Sequence, residues 1–114
     1  MDIPHGGIGF FDSGLGGLTV LFACRSVCGD LPVYYYGDNA RAPYGGLSSE
    51  IIKNYAAEAF DTFSALGARA AVIACNTVTA VCADSFRKIY PFPIVGADPA
   101  VFPAAERCGE IFVL

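Results

Sequence analysis

Charged side chains are scarce in this sequence, and basic ones are scarcer than acidic ones. Seven Lys and Arg stand against 11 Asp and Glu, which gives a net charge of −4, and charged residues make up only 16% of the 114 residues. No cluster of Lys or Arg is present to neutralise the phosphates of a nucleic acid. The composition therefore argues against a nucleic-acid partner, while an apolar content of 54% argues against a disordered chain.

Long hydrophobic runs are also missing. The longest unbroken apolar run, residues 70–75, is far shorter than the roughly 20 residues that a membrane-spanning helix needs. The start of the chain, residues 1–5, lacks the basic residues and the long apolar core of a secretion signal. These absences predict a cytoplasmic protein with no membrane partner.

Metal-ligating side chains are few and poorly spaced. His5 is the only histidine, and the five cysteines form no Cys-x-x-Cys pair of the kind that zinc sites use. The cysteines are odd in number and lie within apolar segments, so they indicate neither a disulfide framework nor a metal site. We expect four of the five to be small buried hydrophobic residues.

What the sequence does contain is an alternation of short apolar runs with segments of helical periodicity. Strands are predicted at 8–11, 33–36, 70–75 and 93–96, and helices at 18–28, 49–66 and 78–89, with a further helix at 98–108 and a strand at 111–114. This order predicts an α/β fold with an open, mostly parallel sheet and helices on both faces. Because the last apolar strand lacks a covering helix, we expect the natural polypeptide to be longer.

Polar groups follow three of these strands, at the edge of the sheet where open parallel sheets bind ligands. They are Asp12 and Ser13 after the first strand, Tyr44 and Gly45 in the loop after the second, and Cys75, Asn76 and Thr77 at the end of the third. The set combines a carboxylate, hydroxyls, a thiol, an amide and glycine N–H groups. It therefore predicts a site for a small polar ligand.

Cys75 differs from the other cysteines in its position. It ends a buried strand just before a predicted helix N-terminus, where the helix dipole and free N–H groups favour a thiolate. A thiolate can act as a nucleophile or as a base. The alternative is a buried cysteine at a strand end with no chemical role.

Other features of the same loops have ordinary explanations. The glycines at 14, 16 and 17 match neither the dinucleotide-binding pattern nor a Walker loop. They are read as permitting a tight turn, or as letting a ligand carboxylate approach backbone N–H groups. Residues 34–36, three consecutive tyrosines, are expected to pack within a strand. Arg41 could meet an anionic ligand, but because a loop arginine is usually solvated we expect solvation.

Three segments, at residues 11–20, 36–45 and 74–77, together resemble the N-terminal portion of bacterial glutamate racemases, in the aspartate/glutamate racemase superfamily. The resemblance implies cofactor-independent racemisation of glutamate, which supplies D-glutamate for peptidoglycan. It implies two cysteine thiols on opposite faces of the substrate, with Cys75 as the first. The substrate-contacting positions of the family match Asp12, Ser13, Tyr44, Gly45, Asn76 and Thr77.

The sequence departs from the family in one respect. The second catalytic cysteine of the family lies in a Cys-Thr-His motif, which this sequence does not contain. The resemblance implies that residues 1–97 form an incomplete N-terminal α/β domain and that residues 98–114 begin a second α/β domain. We therefore expect the chain to be inactive alone, and the full-length form to be compatible with a homodimer.

Two alternative functions remain open at this point. One is racemisation of aspartate or another amino acid by a member of the same superfamily, although the segment 43–45 favours glutamate. The other is a non-catalytic α/β module that binds a small anion.

Overall fold

The computed structural model describes residues 3–97. The strands are β1 (Ile8–Asp12), β2 (Val33–Gly37), β3 (Ala70–Ile73) and β4 (Ile94–Gly96); the helices are α1 (Leu18–Arg25), α2 (Ser49–Ala65) and α3 (Asn76–Ile89), with a 3-10 turn at Asn39–Arg41. The four strands form one sheet in the order β2-β1-β3-β4, and every neighbouring pair is parallel. The predicted α/β fold with an open parallel sheet is confirmed. The predicted helix at 98–108, the strand at 111–114 and the second domain lie outside the described residues.

Right-handed connections place helices on both faces of this sheet. The step from β1 to β2 runs one way across the sheet, and the steps from β2 to β3 and from β3 to β4 run the other way. Right-handed connections then put α1 on one face and put α2 and α3 on the opposite face. None of the helices in this part of the chain is long and apolar enough to cross a membrane.

The main core lies between the sheet and the pair α2 and α3. The apolar stripe predicted for α2 supplies much of it, and Ser48 caps this helix by accepting a hydrogen bond from the Ile51 N–H at 3.3 Å. Phe60 is fully buried. Its ring centroid lies 5.0–6.4 Å from those of surrounding aromatic residues, namely Phe11, Phe63, Phe86, Tyr90 and Phe92.

Some predicted boundaries were wrong, and the most consequential error falls beside Cys75. Strand β3 ends at Ile73 rather than at Cys75, and α3 begins at Asn76 rather than at Val78. Cys75 is the N-cap of α3, with extended backbone angles of φ −101° and ψ 124°. Its carbonyl oxygen already accepts the Thr79 N–H at 3.0 Å, which starts the helix early.

Helix α1 is shorter than predicted. It ends at Arg25, because the N–H groups of Val27 and Cys28 both donate to the Cys24 carbonyl oxygen and close the last turn. Gly29 then has a φ of +62°, which reverses the chain direction toward β2.

Candidate active site

The turn after β1 and the start of α3 meet at the carboxyl edge of the two central strands. The Ala74 N–H donates to the Phe11 carbonyl oxygen at 2.8 Å, which holds the end of β3 against the end of β1. Ser13 Oγ consequently lies 3.6 Å from Cys75 Sγ, a hydrogen-bonding distance for sulfur. Cys75 is half-buried and is the N-cap of a helix of 14 residues.

The Asp12 carboxylate organises the turn that carries Ser13. Its Oδ1 accepts the Ser13 N–H at 2.8 Å and its Oδ2 accepts the Gly17 N–H at 2.7 Å. Asp12 is only 7% exposed. Two backbone donors therefore satisfy a nearly buried charge, and this predicted site residue shapes the turn through its side chain.

Gly17 is required by the same turn. A Cβ at this position would lie 2.9 Å from the Cβ atoms of both Asp12 and Ala74. Such distances are well inside van der Waals contact, so a side chain would push the turn away from the end of β3. The glycine-rich segment thus permits a close approach of the backbone to the neighbouring strand end.

The Tyr44 side chain faces the core and not the open edge of the sheet. Tyr44 is 2% exposed, and its ring centroid lies 6.3 Å from that of Phe11 and 5.8 Å from that of Tyr55. Its hydroxyl donates to the Asp38 carboxylate, and burial together with this bond raises the Tyr44 pKa. Gly45, the next residue, is exposed.

A cluster of polar and aromatic side chains, here called the loop anchor, consists of Asp38, Arg41, Tyr44, Tyr55 and Glu58. Arg41 Nε lies 2.8 Å from the Asp38 carboxylate and Arg41 Nη2 lies 2.7 Å from the Glu58 carboxylate on α2. The guanidinium carbon also sits 3.8 Å from the centre of the Tyr55 ring. The loop anchor thus fixes the segment that presents Gly45.

The expectation that Arg41 is solvated was wrong in this respect, since Arg41 joins two carboxylates on different elements. The spacing of Asp38 and Arg41, three residues apart around a short helical turn, was the signal that could have found this pair. The contact with Glu58 had no signal in the sequence, because it depends on how α2 packs against the loop.

The remaining predicted site residues follow Cys75 directly. Asn76 is exposed and Thr77 is half-buried, and they are the first two residues of α3. Among the predicted candidates, the contact between side chains that the structure gives is the one between Ser13 and Cys75. Residues 3–97 form no enclosed pocket beside these groups, so the site is an open edge.

These groups suit proton transfer on a small polar molecule. A thiol can hold or release a proton, a hydroxyl beside it can donate to a thiolate, and the N–H groups at the start of α3 can donate hydrogen bonds to a carboxylate. The fold and the candidate site together define an α/β protein that carries a thiol beside a hydroxyl at the carboxyl end of a parallel sheet.

Comparisons with known proteins show which α/β proteins the chain is similar to. The chain is 41% identical over 103 residues to glutamate racemase 2 of Bacillus subtilis, covering 90% of this chain and 39% of that protein. It also resembles the structure of Escherichia coli glutamate racemase, which was solved in complex with L-glutamate and the activator UDP-MurNAc-Ala. The two chains are 36% identical with a TM-score of 0.80, and the match covers 90% of this chain and 39% of that one.

A second structure gives a similar result. The glutamate racemase of Thermus thermophilus, solved in complex with beta-chloro-D-alanine, is 37% identical with a TM-score of 0.76, covering 93% of this chain and 40% of that one. No family model matches the chain.

The chain spans about two-fifths of the length of these relatives. The part that it matches is their N-terminal portion. The chain is therefore a relative of the glutamate racemases, and the resemblance seen in the three sequence segments is confirmed in sequence and in fold. The roles of the individual site residues stay predictions.

Proposed function

We propose that this chain carries one of the two proton-transfer groups of a glutamate racemase, with Cys75 as that group. The observation that supports this role most directly is the 3.6 Å contact between Cys75 Sγ and Ser13 Oγ at the N-terminus of α3. The choice of glutamate as substrate rests on the relatives, which are glutamate racemases. In this role the product, D-glutamate, would serve peptidoglycan synthesis.

The proposed step transfers one hydrogen from carbon to sulfur. The Cys75 thiolate takes the α-hydrogen as a proton, the Cα–H bond breaks, and an S–H bond forms. The electron pair left on Cα delocalises into the substrate carboxylate, whose growing negative charge is stabilised by N–H groups from the start of α3 and from the turn after β1. The proton moves only between carbon and sulfur, so this proposed chemistry uses no cofactor.

Inversion at Cα needs a second proton donor on the opposite face of the substrate. In the proposed two-thiol mechanism a second S–H bond breaks there, and a new Cα–H bond forms with inverted configuration. The described residues bring one thiol, Cys75, to the open edge of the sheet, and they form no enclosed pocket around it. We therefore propose that the chain does not racemise glutamate alone and that a second α/β unit supplies the facing wall and thiol.

The experiment joins this chain to the part of the Bacillus subtilis relative that lies beyond the matched 103 residues. Loss of the α-proton signal of glutamate in heavy water is followed by proton NMR, with the 114-residue chain alone as the second sample. The hybrid is expected to exchange the α-hydrogen of glutamate and not that of aspartate, and the chain alone is expected to exchange neither.

Three results would count against the proposal. A folded hybrid that exchanges nothing would remove the proton-transfer role of this chain. Faster exchange with aspartate than with glutamate would favour an aspartate racemase. Exchange by the chain alone would show that a second unit is not needed.

A further inference from the structure

We propose that Tyr35 is a positioning residue that holds Ser13 against Cys75, a role that rests on the proposed function of Cys75. The Tyr35 hydroxyl donates a hydrogen bond of 2.8 Å to the carbonyl oxygen of Gly14, the residue that follows Ser13. Tyr35 lies on β2 and Gly14 lies in the turn after β1, so the bond joins two different elements of the fold at the edge where the site lies.

The register of the sheet selects Tyr35 from three consecutive tyrosines. Tyr35 lies opposite Phe10, on the face of the sheet where α1 and the turn lie. Tyr34 and Tyr36 point to the other face and pack against the main core, because neighbouring side chains of a strand alternate between faces. Only the middle tyrosine of the three can reach the turn.

The surroundings of Tyr35 keep its hydroxyl a donor. Burial raises the pKa of this phenol, and the nearby Asp12 carboxylate raises it further. The hydroxyl therefore stays protonated through the neutral range. A Cβ on Gly17 would lie 3.1 Å from this hydroxyl oxygen, so the glycine leaves the space that the tyrosine occupies.

Three fixed points now surround Ser13. Its N–H is held by Asp12 Oδ1, the far end of the turn is held by Asp12 Oδ2 through Gly17, and the carbonyl of the next residue is held by Tyr35. Asp12 fixes N–H groups only, so the Tyr35 bond is what fixes the peptide plane between Gly14 and Leu15, one residue beyond Ser13. Without it that plane can rotate, and Ser13 Oγ can leave Cys75 Sγ.

The test measures the alkylation rate of Cys75 by iodoacetamide in the 114-residue chain at neutral pH, resolved by peptide mass spectrometry. A hydrogen bond from Ser13 favours the thiolate, which is the reactive species. Ser13→Ala is expected to slow alkylation of Cys75 roughly two- to tenfold, the range of one hydrogen bond, and Tyr35→Phe is expected to slow it by the same factor. In the double variant the second change is expected to add nothing, because both act through one contact.

Tyr34→Phe is the matched control. The Tyr34 hydroxyl accepts the Gly7 N–H at 3.1 Å and also donates to the Pro4 carbonyl oxygen, at the amino ends of the strands. Its removal is expected to leave the Cys75 rate unchanged. Cys82, which is fully buried, is expected to stay unreactive in every variant and so reports an intact core.

Any one of three outcomes overturns the proposal. Tyr35→Phe leaves the Cys75 rate unchanged, or its effect adds fully to that of Ser13→Ala, or it exposes Cys82 to alkylation and so acts on the whole fold. None of these outcomes depends on glutamate exchange by the hybrid protein, so the role of Tyr35 and the proposed function of the chain can fail separately.

Discussion

Ser13 Oγ lies 3.6 Å from Cys75 Sγ, although the two residues are 62 positions apart in the sequence. The sheet order explains the contact, since β1 and β3 are parallel neighbours and each residue stands just beyond the end of its strand. The contact therefore depends on how the turn after β1 is held.

Replacing Gly17 with alanine is expected to destabilise the fold. The new Cβ would lie 2.9 Å from the Cβ atoms of Asp12 and Ala74, and relieving such overpacking costs about 1–3 kcal/mol. Urea unfolding of the wild type and the variant measures the difference in their free energies of unfolding. Gly46→Ala is the control, because nothing lies within 4 Å of its Cβ position, and equal losses in the two variants would contradict the steric explanation.

Removing the guanidinium group of Arg41 in the loop anchor is expected to lower the free energy of unfolding more than removing an exposed guanidinium group does. Arg41→Gln should cost about 1–2 kcal/mol, because it leaves the nearly buried Asp38 carboxylate with fewer partners. The free energy of unfolding of Arg41→Lys should lie between those of the wild type and of Arg41→Gln, since an ammonium group cannot reproduce the planar, forked geometry of the guanidinium. Arg25→Gln, at an exposed position on α1, should change the free energy by about 0.5 kcal/mol or less; a loss as large as that of Arg41→Gln would refute the special role of Arg41.

Phe60 is expected to be a principal contributor to the core. Phe60→Ala should lower the free energy of unfolding by about 3–5 kcal/mol, because this fully buried ring contacts aromatic side chains from α2, α3 and the sheet. Phe22→Ala is the matched control, since Phe22 is 69% exposed, and it should change stability little. Similar unfolding midpoints for the two variants would show that the core has been assigned wrongly.

The buried thiol of Cys82 predicts a loss of stability in alkaline solution. Burial raises the pKa of this thiol from 9.0 to about 11. A thiol whose pKa is higher in the folded state than in the unfolded state stabilises the fold fully below the lower value. That contribution disappears as the pH rises toward the higher one.

The free energy of unfolding is therefore expected to fall between pH 9 and pH 11, by about 2–3 kcal/mol for a shift of this size. Cys82→Ala should reduce that slope, even though it lowers stability at neutral pH through lost packing. Chemical unfolding at several pH values in this range measures how the free energy of unfolding depends on pH. An unchanged pH dependence in Cys82→Ala would exclude Cys82 as the cause of the alkaline loss of stability.

The sequence was sufficient to predict the architecture because each strand is a short apolar run and each helix repeats its apolar residues at helical spacing. The boundary beside Cys75 was misplaced for a physical reason. Residues 70–75 are uniformly apolar, so composition alone does not show that pairing stops at Ile73 and that Cys75 becomes a helix cap.

The roles of the tyrosines lay beyond sequence reasoning for a different reason. Residues 34–36 are identical in type, and only the register of β2 against β1 decides that Tyr35 faces the turn. Tyr44 stays a predicted substrate-contacting position, but the sequence did not show that its side chain is buried against Phe11 and bonded to Asp38. Such contacts are set by packing between distant segments, which a local pattern does not encode.

The measurement that tests the central claim most directly is α-hydrogen exchange of glutamate by the hybrid protein with Cys75 replaced by serine. Cys24→Ser serves as the matched control, because Cys24 is likewise half-buried but lies on α1. If the Cys75 sulfur transfers the proton, Cys75→Ser will abolish or greatly slow the exchange and Cys24→Ser will leave it at the rate of the unsubstituted hybrid. Undiminished exchange by the Cys75→Ser hybrid would contradict the claim.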